Sequence, residues 1–178
     1  PGRTAIETAR VADGDRHAIV IDADTCTLFE TWDTRSTATG WTAGSGATWN
    51  LRSNALRPRG WTSADAAGLP ILPGLLRWSE VRKGKVDHAI RFTTDVTDRR
   101  YVWPARHQAG STSSVDAPAM GQRFRLKASV RPADFPAAVR PIIVALQTYG
   151  GIVADNGSAW YMSGVPDERW DNDALQSL

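Results

Sequence analysis

Residues 17–32 read HAIVIDADTCTLFETW, and this stretch decides the fold class. His17–Asp22 is a compact run rich in β-branched residues, followed by residues that favour a turn. Cys26–Trp32 then alternates, with Leu28, Glu30 and Trp32 on one face and smaller or polar residues mostly on the other. The two runs predict neighbouring strands, with Trp32 packed in the core beside Leu28.

Strand signals recur along the chain, whereas helix signals are few. Further strands are predicted at Val86–Thr93, Gln122–Ala128, Ala47–Leu51, Arg100–Trp103, Gly151–Asp155 and Ser158–Ser163, and the last two flank Asn156-Gly157, a strong hairpin signal. Helices are predicted at Val139–Tyr149, Ser79–Lys83 and Ser63–Ala67. Short strands with frequent turns predict a mainly β fold: antiparallel sheets in a β-sandwich or jelly roll, with a few short helices.

Composition limits the classes of function. The chain has 178 residues, which predicts one domain, and its net charge of +2 comes from basic and acidic residues spread along the sequence. No basic patch stands out, so we expect no nucleic-acid partner. No apolar stretch is long enough to span a membrane. The single cysteine, Cys26, excludes an intrachain disulfide and any multi-cysteine metal site.

Tryptophan is over-represented, with eight residues against three tyrosines and four phenylalanines. Trp41, Trp49 and Trp61 lie close together in the sequence among small and polar residues, and Trp103 lies beside Arg106. An indole ring is a flat apolar surface with one N–H donor, which suits the C–H face of a sugar ring. These four tryptophans and Arg106 are therefore the predicted substrate-binding residues. The alternative is that the indoles are partly buried core residues.

Glu30 is the candidate catalytic carboxylate. Its alternation places it between two apolar residues, where a glutamate needs a partner. Either that face is a core in which Glu30 pairs with an arginine, or it lines a cleft in which burial would raise its pKa and suit it to general acid work. Glycoside hydrolysis needs two carboxylates, and Asp22, Asp87 and Asp155 lie at or near predicted strand ends.

Histidines and Arg106 complete the candidate site. His88 lies on a predicted apolar strand face, and His107 directly follows Arg106. Either imidazole could act as a base beside Glu30, and the guanidinium fork of Arg106 could hold a carboxylate or a uronic acid. The alternatives are histidines held by one hydrogen bond each, or a metal site built from His17, His88 and His107.

Several segments resemble a group of uncharacterised exported proteins of soil bacteria, many of them actinobacteria. The resembling segments are DRHAIVID (15–22), GSGATW (44–49), SNALRPRGWTSADAAGLPILP (53–73), HAIRFT (88–93), VWPARH (102–107) and ADNGSAW (154–160). The resemblance implies export and a compact strand-rich domain, trimmed at one or both ends because members look longer. It carries over no catalytic residue.

Together these patterns predict a secreted, glycan-active protein that binds a polysaccharide or oligosaccharide. As an enzyme it would cleave glycosidic bonds with Glu30, His88 and His107, and it would need no metal or other cofactor. The alternative is a non-catalytic carbohydrate-binding or surface-assembly domain.

Overall fold

Strands form most of the regular structure. The computed structural model describes residues 5–6 and 14–178. Its strands are β1 (Ala5–Ile6), β2 (Ala18–Asp22), β3 (Thr27–Trp32), β4 (Arg35–Thr37), β5 (Gly40–Thr42), β6 (Ser45–Asn50), β7 (Ile90–Thr94), β8 (Asp98–Tyr101), β9 (Ala119–Met120), β10 (Arg123–Phe124), β11 (Gly151–Asn156) and β12 (Tyr161–Met162). Its α-helices are α1 (Trp78–Arg82), α2 (Arg140–Thr148) and α3 (Asn172–Leu175), and short 3-10 turns cover Leu72–Gly74, Pro132–Asp134 and Ala137–Val139.

The first sheet follows the alternation of its sequence. Its order is β1-β2-β3-β6, and every pairing is antiparallel. Leu28 and Glu30 are buried on the inner face of β3, and Phe29 is exposed on the outer face. Trp32, at the end of the strand, is 41% exposed, so its predicted place in the core is wrong.

The second sheet mixes parallel and antiparallel pairs, in the order β10-β11-β7-β12. Its central pair, β7 and β11, is parallel, and the pairings of β10 and β12 are antiparallel. The Asn156-Gly157 turn therefore makes no hairpin, because β7 lies between β11 and β12 and pairs with both. The small sheets pair β4 with β5 antiparallel and β8 with β9 parallel.

Residues 64–76 form a buried connecting segment that packs against both large sheets. Ile71 and Leu75 join a cluster that includes Ile19 of β2, and Leu69 packs with Phe92 of β7. Leu76 joins the cluster that α2 forms over the start of β7. Because this segment carries side chains into every apolar cluster, it holds the two sheets together.

The prediction of a mainly β fold with a few short helices is confirmed. The periodicity of residues 139–149 gives α2, preceded by a 3-10 turn, and α1 lies one residue before its predicted start. Several predictions are wrong in extent or type. Residues 86–89 precede β7 instead of extending it, and only short parts of two other predicted strands form, Arg123–Phe124 of Gln122–Ala128 and Tyr161–Met162 of Ser158–Ser163. Ser63–Ala67 is an irregular buried turn. Within the described ranges, no helix is long and apolar enough to cross a membrane.

Candidate functional site

A cavity of about 650 Å³ opens between the first sheet, the second sheet and the connecting segment. This volume lies in the range of about 300–1,000 Å³ that is usual for small-molecule sites. Its apolar wall includes Ile19, Ile21, Leu72, Leu75, Val165 and Pro166, and its polar lining includes Asp15, His17, Arg91, Thr93, Asp155, Asn156, Ser158, Tyr161 and Ser163. A few polar groups thus converge in a largely apolar cleft.

Arg91, in the central strand β7, is fixed by a two-bond ion pair. Its Nε and Nη2 atoms donate to Asp65 at 3.1 and 2.8 Å, and its Nη1 donates to the Ser163 hydroxyl at 2.5 Å. The Asp65 side chain is fully buried in the connecting segment. A bidentate pair of this kind holds both groups in a single geometry, so the cation cannot swing freely in the cleft.

A β-bulge brings Asp155 to the same place. Val153 pairs with Phe92, but the next residue of β11 to pair is Asp155, opposite Thr93, so Ala154 is the inserted residue. In regular pairing Ala154 would lie opposite Thr93, and Asp155 would fall on the other face of the sheet. The bulge therefore turns the carboxyl group toward Arg91 and the cavity.

The surroundings of Asp155 favour its protonated form. Burial raises its pKa to about 7, and the nearby Asp65 carboxylate adds to the effect as a like charge and as a hydrogen-bond partner. Two groups lower the pKa of Asp155 in part: the Asn156 backbone N–H, which donates to the carboxylate at 2.7 Å, and the charge of Arg91. An acid with a pKa near neutrality can both give and take a proton, which is the requirement for general acid–base catalysis.

The first sheet supplies the opposite side of the cavity. Asp15 and His17 lie just before β2, and Ile19 and Ile21 follow on its inner face. His17 is fixed because its Nε2 donates to the Ala64 carbonyl oxygen at 2.9 Å. Asp15 is exposed at the rim. The cavity thus holds a half-buried carboxyl group, Asp155, on the second sheet and an exposed one, Asp15, just before β2 on the opposite side.

Glu30 lies in the core and does not line the cavity. Its side chain is 0% exposed and accepts hydrogen bonds from Ile71 N and Leu72 N, at 2.8–2.9 Å, and from Trp49 Nε1 at 3.2 Å. Of the two predicted environments, the buried core is therefore the observed one. Its direct donors are backbone amides and an indole, and Arg91 acts on it only through its charge. Glu30 anchors the start of the 3-10 turn at Leu72.

The structure does not bring Glu30, His88 and His107 together, and none of them lines the cavity. His88 contacts Glu80 of α1 through Nε2 at 3.3 Å, whereas His107 donates from Nδ1 to the Ala66 carbonyl oxygen at 2.9 Å. His107 is thus held by one hydrogen bond, as one of the alternatives predicted, whereas His88 has a second partner, since its Nδ1 lies 2.9 Å from the Ala89 carbonyl oxygen. In the part of the chain that the structure describes, no three His, Cys, Asp or Glu residues are grouped to hold a metal ion. The alternative metal site of His17, His88 and His107 is therefore not formed.

The four predicted sugar-stacking tryptophans divide into two groups. Trp41, Trp61 and Trp103 are 63%, 57% and 75% exposed. Trp49 is only 8% exposed and packs with Leu28, so its prediction as a surface stacking residue is wrong. None of the four lines the cavity.

Arg106 lies beside the Trp61 loop. Its Nε donates to the Arg57 carbonyl oxygen at 2.8 Å, and its own carbonyl oxygen accepts from Gly60 N at 2.7 Å. Arg106 thus contacts the backbone of the loop that carries Trp61, and its predicted pairing with Trp103 stays a prediction.

Sequence reasoning missed most of the residues that meet in the cavity. Asp155 was recognised as a carboxylate near a strand end, but nothing in the sequence separates it from Asp22 or Asp87 in the same position. Arg91 falls opposite the apolar face that alternation predicts for its strand, and Asp65 lies in the predicted short helix Ser63–Ala67. The signal that could have found them is the buried segment itself, since a charged residue within an apolar run needs a partner.

Comparison of the chain with models of known protein families, with curated proteins and with solved structures finds no match.

Proposed function

We propose that this protein is a glycan-active enzyme that cleaves a glycosidic bond in the cavity between its sheets. The observation that carries the proposal is the convergence of Asp155 and Arg91 on one wall of the cavity, with Asp65 buried behind them and Asp15 at the opposite rim, just before β2. Glycoside hydrolysis uses one carboxyl group as an acid and a second as a base or nucleophile. The acid is Asp155 and not the Glu30 that the sequence suggested, because Asp155 faces the cavity and Glu30 does not.

The residues in and behind the cavity wall divide the steps of the reaction. Asp155 gives its proton to the leaving-group oxygen as the C–O bond breaks, and Asp15 takes a proton from the water that attacks the anomeric carbon. Asp65 keeps the proton on Asp155, and Arg91 holds Asp65 in place. The Ser158 and Tyr161 hydroxyls offer hydrogen-bonding groups to sugar hydroxyls, while the apolar wall limits access of bulk water.

The predicted scaffold and location belong to the same proposal. Two four-stranded sheets with a cavity between them suit a β-sandwich; its jelly-roll topology, like secretion, stays a prediction. Substrates would then be extracellular polysaccharides or the oligosaccharides released from them.

A panel of neutral and acidic polysaccharides, scored for new reducing ends, tests the enzymatic proposal. We expect Asp155→Asn to lower turnover by about 10²-fold or more, because the amide cannot deliver the proton. Wild-type turnover should also fall as the pH rises through about 7, where Asp155 loses its proton. Asp15→Asn should lower turnover as well.

Asp116→Asn is the matched control, because Asp116 is exposed and lies outside the cavity. Full turnover by Asp155→Asn would contradict the assignment of the acid.

A non-catalytic carbohydrate-binding domain is the second candidate. The exposed faces of Trp41, Trp61 and Trp103 favour it, because stacking on sugars needs accessible indoles. Binding to members of the panel without any product would favour this candidate over the enzyme.

A further inference from the structure

Arg57 holds its guanidinium over two indole rings, on a surface separate from the cavity. Its Cζ lies 5.9 Å from the centre of Trp49 and 5.4 Å from the centre of Trp61, within the distance of a cation–π contact. Trp49 is itself fixed by its hydrogen bond to the buried Glu30. The cation is therefore positioned by a chain of contacts that begins in the core.

Among the residues that the structure describes, none accepts a hydrogen bond from the Arg57 side chain. Its Nε is buried without a partner, and across the described ranges no ion pair joins Arg57 or Arg106 to a carboxylate. Residues 51–64 contain three arginines and no acidic residue, and residues 99–107 also lack one. Because a fixed cation without a counter-charge is costly to leave partly buried, this arrangement suits an anionic ligand.

Arg106 extends the same surface. Its Nε donates to the Arg57 carbonyl oxygen, which leaves the two Nη groups of Arg106 without an acceptor among the described residues. The exposed ring of Trp61 lies on the loop that carries Arg57 and offers an apolar face. Two guanidinium groups and an indole thus form a basic aromatic surface, made of Arg57, Trp61 and Arg106.

We propose that the basic aromatic surface binds a carboxylate-bearing stretch of an acidic polysaccharide. The guanidinium groups would hold the carboxylates, and Trp61 would stack on a sugar ring. The choice of a glycan rests on the proposed function, whereas the preference for an anion rests on the arginines alone. A nucleic acid is less favoured because phosphate chains are bound by extended basic surfaces, and this chain carries a net charge of only +2.

Binding to polygalacturonate and to its fully methyl-esterified form tests the proposal, because esterification removes the charge and keeps the sugar. We expect salt-sensitive binding to the acid and at least about tenfold weaker binding to the ester, the loss of one charge-assisted contact. Arg57→Gln and Arg106→Gln should each weaken binding to the acid by about tenfold. Trp61→Ala should weaken binding to both forms.

Arg123→Gln is the matched control, since Arg123 is an exposed arginine in another part of the fold with no bonded partner in the described structure. Equal binding to acid and ester, no binding to either, or tighter binding to a single-stranded oligonucleotide of equal charge would overturn the proposal. The ester comparison uses the unaltered protein, so it is decisive even where an arginine variant folds poorly.

The outcome for this surface is separable from that for the cavity. Asp155→Asn should bind polygalacturonate like the wild type, because Asp155 lies in the cavity. Cleavage of neutral glycans without polygalacturonate binding would overturn the surface alone, and binding without any cleavage would overturn the hydrolase alone.

Discussion

Glu30 and Asp155 are both carboxyl residues on strands that face the protein interior, and burial raises the pKa of each. Their surroundings give them different roles. The Glu30 oxygens are occupied by two backbone amides and an indole, and no side of the group is open. Asp155 has the cavity on one side and Asp65 on the other. A structural anchor and a candidate acid therefore differ in access to the cavity.

Glu30→Gln should destabilise the protein by about 1–3 kcal/mol, because the amide nitrogen places a donor against another donor and leaves a buried group unsatisfied. Urea denaturation at neutral pH measures the loss. The folded fraction should still react with substrate, since Glu30 positions the connecting segment and lies outside the cavity.

Glu168→Gln serves as the comparison, because Glu168 is exposed and has no bonded partner among the described residues; its effect should stay within about 0.5 kcal/mol. A Glu30→Gln protein as stable as the wild type but without turnover would show that Glu30 acts chemically.

The element that decides the site is the bulge in β11. It shifts the register between Val153 and Asp155, so that an acidic residue joins Arg91 and Thr93 on one face of the sheet. Bulges commonly re-aim a side chain next to a functional site. Here the inserted residue, Ala154, is small and buried, and nothing in its identity marks the irregularity.

The turn at Gly68 is a second element in which both the backbone conformation and the surroundings disfavour a side chain. Gly68 has φ +68°, and a Cβ there would lie 2.4 Å from the Trp61 carbonyl oxygen and 3.3 Å from the Arg106 side chain. We expect Gly68→Ala to cost roughly 2–4 kcal/mol, from left-handed strain plus this close contact. Thermal denaturation measures the loss.

Gly84→Ala is the comparison that separates backbone strain from the close contact. Gly84 has a similar φ of +78°, but a Cβ there would have no neighbour within 4 Å. The substitution should cost only the strain, about 1–2 kcal/mol. Equal losses at the two glycines would mean that the close approach of Gly68 to Trp61 contributes nothing.

At the scale of the whole molecule, the connecting segment unites structure and site. The same segment that packs into the apolar clusters also carries Asp65 to Arg91 and presents Ile71 N to Glu30. Glu30 of the first sheet and Arg91 of the second sheet are thereby tied to a single stretch of backbone.

The dependence of global stability on pH should carry the signature of Asp155. The folded protein keeps the Asp155 proton up to a pH of about 7, whereas the unfolded chain releases it near 3.8. Between these values the folded state binds more protons, so stability falls as the pH rises. Asp155→Asn removes this contribution, and its stability relative to the wild type should rise by about 2 kcal/mol between pH values of about 5 and 8.

Urea midpoints of both proteins at the two pH values measure the difference, with Asp116→Asn as the control. The raised pKa of Glu30 also makes the stability of the fold decrease with rising pH, but this contribution is the same in all three proteins. Parallel pH curves for Asp155→Asn and the wild type would show that the Asp155 pKa is not raised.

Local patterns predicted the elements that alternate or repeat cleanly. β2, β3 and α2 lie within two residues of their predicted bounds, since one face of each is buried and the sequence records that face. Prediction failed where a strand is covered on both sides. Arg91 faces a second sheet instead of solvent, and Asn156-Gly157 connects strands that pair with β7 and not with each other.

The sequence by itself determined the mainly β class, the principal helix, and the burial of Glu30 as one of two alternatives. These follow from short-range periodicity and composition, which a chain expresses wherever it folds. Only the tertiary structure decided which carboxyl group meets the cavity. Asp65, Arg91 and Asp155 come from three separate parts of the chain, and a single inserted residue in β11 sets the face on which Asp155 lies. Contacts of such sequence separation depend on how sheets pair and pack, and no local pattern encodes them.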